Sequence, residues 1–254
     1  MSSSFKTALI TGAARGIGAA TALALASRGI TVVLTARSAA ACRDVAERIQ
    51  ANGGRCHVTA CDVADYPSVV AAVEAAVAYG GGLDIIVNNA GQIQPIGLLH
   101  TTDPAQWTHA IHTNLVGAYH VIHAALPWLQ KSAHAAIVNL STGGAHTPRL
   151  TWSSYCSAKA GLAMLTRCVA DEYADRDVAV YGLQPGLVDT GMQATIRAAG
   201  TNAISRIPRS ELDPPEKSAA VIAWLADQRP TDLRGLDLSA TDAALLQRSQ
   251  ASTL

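Results

Sequence analysis

TALITGAARGIG, residues 7–18, decides the reading of this chain. Five residues suited to a buried strand, Thr7 to Thr11, run into a turn punctuated by Gly12, Gly16 and Gly18, and an alanine-rich stretch follows. Gly12 permits a tight turn, Gly16 lets backbone approach a phosphate, and Gly18 lets a helix pack close to the strand. The helix that opens there presents free N–H groups and the positive end of its dipole, which suits a pyrophosphate. The spacing is G-x-x-x-G-x-G, with Arg15 and Ile17 inside the loop. It predicts a dinucleotide site at the first strand–helix junction.

Outward from that loop, short β-branched runs alternate with longer alanine-rich segments. The strand-like runs are 7–11, 31–36, 56–60, 83–89, 135–141, 178–184 and 236–239. Helix-like stretches cover 16–28, 40–51, 67–79, 104–131, 153–175 and 215–227. The strands are apolar throughout rather than alternating, as expected when helices cover both faces of a parallel sheet. The repetition predicts βαβ units and a doubly wound α/β fold. No linker, charge block or internal repeat divides residues 1–254, so one domain is expected. The long unpatterned region at about 186–213 reads as a substrate loop or lid.

Composition narrows the function classes. The chain has 254 residues, 49% apolar and only 15% charged, which excludes disorder. Nineteen basic and nineteen acidic residues cancel, leaving no electrostatic case for nucleic acid or an anionic membrane. No apolar run approaches the ~20 residues needed to span a bilayer, and the first residues show no signal-peptide pattern. Five cysteines without paired spacing fit free thiols and a cytoplasmic location.

A nicotinamide cofactor with a free ribose usually meets a carboxylate ~20 residues beyond the glycine loop. Here the second strand ends in Ala36-Arg37-Ser38, and no carboxylate follows until Asp44. A guanidinium at that place grips a 2′-phosphate through charge-assisted bonds. Arg37, with Arg15 in the loop, therefore points to NADP(H).

The chemistry lies in STGGAHTPRLTWSSYCSAK, residues 141–159. Tyr155 and Lys159 are four apart, on one face of a helix. A free phenol titrates near ~10. A lysine charge ~4 Å away interacts by ~4 kcal/mol at an effective dielectric of ~20, enough to draw that phenol toward neutrality. The pair predicts a general acid. Ser141 and Thr142 supply two candidate hydroxyls upstream.

Taken in order, TGAARGIG, CDV (61–63), NNAG (88–91), Asn114, the hydroxyl pair at 141–142, YCSAK (155–159) and PGLVDT (185–190) resemble the short-chain dehydrogenase/reductase family over nearly the whole chain. The resemblance implies a single Rossmann-like domain with a seven-stranded parallel sheet, and NAD(P)(H) chemistry without a metal. Tyr155 is then implied to protonate a carbonyl oxygen. Lys159 is implied to bind the nicotinamide ribose, and Asn114 to hold a water in a proton relay. Further implied cofactor contacts are Gly12, Arg15, Gly16, Ile17, Gly18, Arg37, Asp62, Val63, Asn89, Ala90, Gly91, Pro185, Gly186, Val188 and Thr190. The family places its substrate-orienting serine thirteen residues before the tyrosine, and here that position is Thr142. Thr142 is the expected working hydroxyl, with Ser141 as the other candidate.

The stretches 182–197 and 153–162 resemble the sepiapterin reductase and benzil reductase branch. That implies NADPH-dependent reduction of a ketone or vicinal dicarbonyl. Where pterin-binding members carry an anchoring Asp, Ser239 stands, which favours a small apolar ketone or diketone. Other functions compatible with the same residues are an alcohol dehydrogenase, a 3-oxoacyl reductase, or a non-catalytic NADP(H)-binding regulator. His109, His112, His120 and His123 would share a face of an unbroken helix, yet no acidic or thiol ligand joins them, so surface or interface roles are expected rather than a metal. The long helices 104–131 and 153–175 are those that usually pair in this family, which implies a homodimer or homotetramer.

Overall fold

The computed structural model describes residues 6–251. Seven strands, β1 (Thr7–Thr11), β2 (Thr31–Ala36), β3 (Cys56–Ala60), β4 (Ile85–Asn88), β5 (Ala136–Leu140), β6 (Ala179–Gln184) and β7 (Asp237–Ser239), form one sheet in the order β3-β2-β1-β4-β5-β6-β7. Every pairing is parallel. Strands β1, β4 and β5 are buried along their full length, whereas the edge strands β3 and β7 are mostly half-exposed. This is the burial that uninterrupted apolar runs predict.

Because side chains alternate along a strand, the two faces carry different cores. Ile10, Leu34, Val87, Val138 and Leu183 pack under α1 (Gly16–Ala26), α2 (Arg43–Ala51), α8 (Pro215–Gln228) and α9 (Ala243–Ala251). Leu9, Val33, Ile86, Ile137 and Val180 pack under α3 (Tyr66–Gly80), α5 (Gly117–Leu129) and α6 (Ser153–Glu172). Each such buried aliphatic side chain contributes about 1.5–3 kcal/mol.

The sheet order reverses between β1 and β4, and ligands of open α/β sheets bind outside the carboxyl ends at such a switch point. Both the glycine loop after β1 and the NNAG stretch after β4 lie there.

Three expectations need correction. The predicted helix 104–131 is interrupted: α4 (Pro104–Ile111) passes through a π-helical turn, His112–Val116, before α5 begins. The region 186–213 is not patternless. It holds α7 (Gly191–Ala199) and two 3₁₀ turns, Ala203–Arg206 and Arg209–Glu211. Gly200, left-handed at φ 65°, ends α7, and Asn202 with Ser205 forms a reciprocal capping box on the next turn. Helix α9 was not expected at all.

Candidate active site

At the cofactor end, the loop after β1 is pinned from β4. The Asn89 amide donates to the carbonyls of Thr11 at 2.8 Å and Gly12 at 3.0 Å. In return the Thr11 hydroxyl accepts the backbone N–H groups of Asn89 and Ala90. Gly12 sits at φ 65°, a conformation that favours glycine. At Gly18 a Cβ would lie 2.5 Å from the Asn89 amide nitrogen, so no side chain fits. Among the described residues no side chain caps the first turn of α1, so its N–H groups face the cleft. Gly91 extends the floor, since a Cβ there would fall 2.8 Å from Asn114 Oδ1. These features fit a dinucleotide pyrophosphate.

The remaining predicted contacts surround this floor. Asp62 Oδ1 accepts the Ala64 N–H at 3.0 Å, which fixes the carboxylate at the end of β3. Val63 is buried against Gly117 of α5. Arg37 follows β2 and is exposed; among the described residues no hydrogen-bond or ion-pair partner holds it. The Arg15 guanidinium lies across the cleft from its own loop, 3.2 Å from where a Cβ on Gly191 would be. Pro185 and Gly186 turn the chain after β6. Val188 is buried and bridges to Asp213, and Thr190 begins α7 with its methyl group 3.2 Å from a Cβ built on Gly16. Ile17 packs toward the core beneath α1.

Four predicted catalytic residues meet at the carboxyl ends of β4 and β5. Asn114, buried within the π turn, accepts the Gln92 N–H at 2.9 Å and donates to the Gln92 carbonyl at 2.8 Å. Its amide is thus committed to the Gln92 backbone, a bracing role that sequence did not suggest. Tyr155 and Lys159 are both buried on α6, with Lys159 Nζ 5.9 Å from the centre of the Tyr155 ring. The ammonium donates to the Leu140 carbonyl at 2.6 Å.

The expected drawing-down of the phenol is corrected by this geometry. Burial pushes Tyr155 up to about 12, while hydrogen bonding with Thr142 opposes the rise. Burial brings Lys159 down to about 8, and the Asp237 carboxylate works against that fall. Both charged forms lose solvation here, and the ammonium is turned to Leu140 rather than the phenol. The phenol accordingly keeps its proton at neutral pH, the state a general acid requires.

The two hydroxyls part company. Ser141 donates away from the tyrosine, to Asp237 Oδ2 at 2.8 Å. Thr142 is the one beside Tyr155, and its oxygen also accepts the Gly144 N–H at 3.3 Å.

Asp237 on β7 was missed. Its Oδ2 also accepts from Gln184 Nε2 at 3.2 Å and lies 2.5 Å from His146 Nε2, so it ties the ends of β5 and β6 to the turn after Thr142. Also missed was an apolar wall, in which Ile93, Trp152, Ile196, Met192 and Ile204 gather on Tyr155. Trp152 meets the Tyr155 ring edge-on at 6.0 Å. The histidine row is broken by the π turn. His120 pairs with the Val63 carbonyl and His123 with the Tyr66 hydroxyl. All five cysteines are free, and no described helix is long and apolar enough to cross a membrane.

Comparison with known proteins settles the family, since residues 6–200 match the short chain dehydrogenase family. The chain belongs to the short-chain dehydrogenases. It is 38% identical to the cis-4-hydroxycyclohexanecarboxylate dehydrogenase of Sinomonas cyclohexanicum, over 92% of this chain and 94% of that one. It is 35% identical to a 3-oxoacyl-acyl-carrier-protein reductase of Pseudomonas aeruginosa (89% and 92%), and 33% identical to the cyclohexanol dehydrogenase of an Acinetobacter species (87% of each). Among solved structures, a variant of actinorhodin polyketide ketoreductase with NADPH superposes at TM-score 0.84, with 25% identity over 92% of this chain and 94% of that one. As a member of this family the chain is an oxidoreductase of CH–OH and C=O groups with a nicotinamide cofactor.

Proposed function

We propose that this short-chain dehydrogenase is an NADPH-dependent reductase of a small, largely apolar ketone, with alicyclic ketones first among the candidates. The observation that carries the reading is the meeting of Tyr155, Thr142 and Lys159 beside an aliphatic and indole wall. NADPH, when bound, supplies hydride to the carbonyl carbon. Tyr155 gives its proton to the oxygen as negative charge develops there, and Thr142 donates a hydrogen bond that orients the carbonyl. Lys159, held on the Leu140 carbonyl 5.9 Å from the Tyr155 ring, would bind the nicotinamide ribose and supply positive charge to the site. Asn114 keeps the Gln92 backbone in place and stands on the route by which a proton is returned to Tyr155. The lid helix α7, through Met192 and Ile196, excludes water from the reacting atoms.

The names of two relatives point to six-membered cyclic alcohols, which suits a wall of Ile93, Trp152 and Ile196. A vicinal dicarbonyl of the benzil type is the second reading, carried by the resemblance of 182–197. Ser239 bonds with Thr241 at 2.8 Å and offers no charge to a pterin, so sepiapterin itself is disfavoured. Arg37 and Arg15 support NADP(H) over NAD(H). Exposed Tyr119 on α5 and Met164 on α6 support an assembly of two or four copies, to be checked by light scattering against a monomer of 26.3 kDa.

The test is the rate of NADPH loss with cyclohexanone, 3-oxoacyl thioesters and benzil, repeated with NADH. NADPH should give the far higher kcat/KM, and Arg37→Asp should narrow or invert the preference. Equal kcat/KM for the two cofactors would contradict the cofactor assignment, and no turnover of any ketone would contradict the reductase reading.

A further inference from the structure

Arg149 is the residue of this cleft that no part of the chemistry above employs. It lies in the turn between Thr142 and Tyr155, half-buried, and among the described residues it has no hydrogen-bond, ion-pair or ring partner for its guanidinium. Its position is fixed from both sides of the reacting centre. On one side its Nη2 stands 3.7 Å from where a Cβ on Gly143 would be, next to Thr142, with Gln184 Oε1 3.9 Å from the same point. On the other side its carbonyl accepts the N–H of Trp152 at 3.1 Å, and Trp152 is the residue packed edge-on against Tyr155.

Arg149 carries a charge that no acidic group among the described residues offsets, and a half-buried charge gains from a counter-charge. Arg28, Arg209, Arg229, Arg234 and Arg248, by contrast, all pair with aspartates. Asp237, a carboxylate at the ends of β5 and β6, is already shared among Ser141, Gln184 and His146. Gly143 has no side chain, which lets the Arg149 guanidinium lie against the Thr142 turn, beside the position a carbonyl would take. We propose that Arg149 is a substrate-binding residue that pairs with a carboxylate carried by the ketone, so that the physiological substrate is a keto acid. This rests on the reductase reading above and deepens it. The apolar wall receives the hydrocarbon body, Thr142 and Tyr155 receive the carbonyl, and Arg149 receives the anionic end through a fork that suits a carboxylate's two oxygens.

The experiment compares 4-oxocyclohexanecarboxylate with its methyl ester, in the unmodified enzyme and in Arg149→Gln and Arg149→Lys. In the unmodified enzyme the keto acid should have the higher kcat/KM. A charge-assisted pair of this kind is worth about 1.5–3 kcal/mol, so Arg149→Gln should lower the acid-to-ester ratio of kcat/KM by about 10- to 100-fold, through KM for the acid. Arg149→Lys should restore part of the ratio, since it returns the charge without the fork. Raised ionic strength should erode the ratio in the unmodified enzyme. The same ratio in Arg149→Gln as in the unmodified enzyme overturns the proposal while leaving the reductase reading standing, because both substrates are then still turned over. If neither ketone is turned over, calorimetric binding of cyclohexanecarboxylate decides instead. Tighter binding to the unmodified protein than to Arg149→Gln upholds the anionic subsite, and equal binding refutes it.

Discussion

The glycine loop and the α7 segment face each other across one cleft, and they are held in opposite ways. The loop is tied to the sheet by Asn89 and Thr11 through four hydrogen bonds, and Gly18 leaves no room beneath it. Across the cleft, α7 leans on its own surroundings. Gln193 donates to the Ile204 carbonyl at 3.2 Å, Arg209 pairs with Asp189 on the surface, and Val188 bridges to Asp213. Met192, Ile196 and Ile204 connect this segment to the wall around Tyr155, and Thr201 and Asn202 bond to the turn at Leu150 and Thr151. The cofactor side is therefore braced directly by the sheet, while the substrate side rests mainly on neighbouring turns, the arrangement expected of a segment that admits ligands.

The sharpest way to break that contrast is at the rigid side. Gly18→Ala forces the loop away from Asn89 and Gly12, and overpacking of this kind costs about 1–3 kcal/mol. It should lower Tm by several degrees and weaken cofactor binding at least tenfold, both read from thermal unfolding with and without NADPH. Unaltered binding would mean that the loop is not the braced element described here.

A smaller effect is expected where the two sides share electrostatics. Lys159 must be protonated for reduction, so the rate should fall as pH rises through about 8. The Asp237 carboxylate raises the lysine toward its ordinary value, so Asp237→Asn should move the alkaline limb of kcat/KM to lower pH. Asp237→Glu, which keeps the charge but displaces the hydrogen bonds to Ser141 and Gln184, should lower the rate at all pH values without moving the limb. An unmoved limb in Asp237→Asn would show that the carboxylate is merely structural.

The smallest effect belongs to the lid. Gly200→Ala places a Cβ at φ 65° in open space, so only the backbone cost remains, about 1 kcal/mol. That is about 2–4 °C in Tm for a chain of this size. Substrate KM should change more than cofactor affinity. The reverse ranking would join the two regions that the structure separates.

The same contrast explains what could be read from the chain alone. The strands β1, β2 and β3 match their expected bounds residue for residue, because apolar β-branched runs and glycine punctuation are local signals. Tyr155 and Lys159 were legible as a pair four residues apart, and Thr142 only through the family resemblance. Helix α7 was not, since it spans nine residues and begins at a glycine, and its apolar side shows only as Met192 and Ile196. Asp237 and Arg149 were not legible either. Their meaning arises from β7 lying beside β6, and from a turn folding back over Gly143, contacts that no local pattern encodes. The acidity of Tyr155 was misjudged for a related reason. Spacing puts a lysine nearby, but only the packed site shows the phenol buried and the ammonium on the Leu140 carbonyl.

Proton transfer from Tyr155 is the central claim, and Tyr155→Phe tests it most directly. The change removes one hydroxyl and keeps the ring packed on Trp152 and Ile93. Turnover of ketone with NADPH should fall by about 10²–10⁴-fold while NADPH affinity, measured by fluorescence titration, stays close to that of the unmodified protein. In parallel, Thr142→Ala should lower kcat/KM and Ser141→Ala should do so less. Full turnover by Tyr155→Phe would contradict the account.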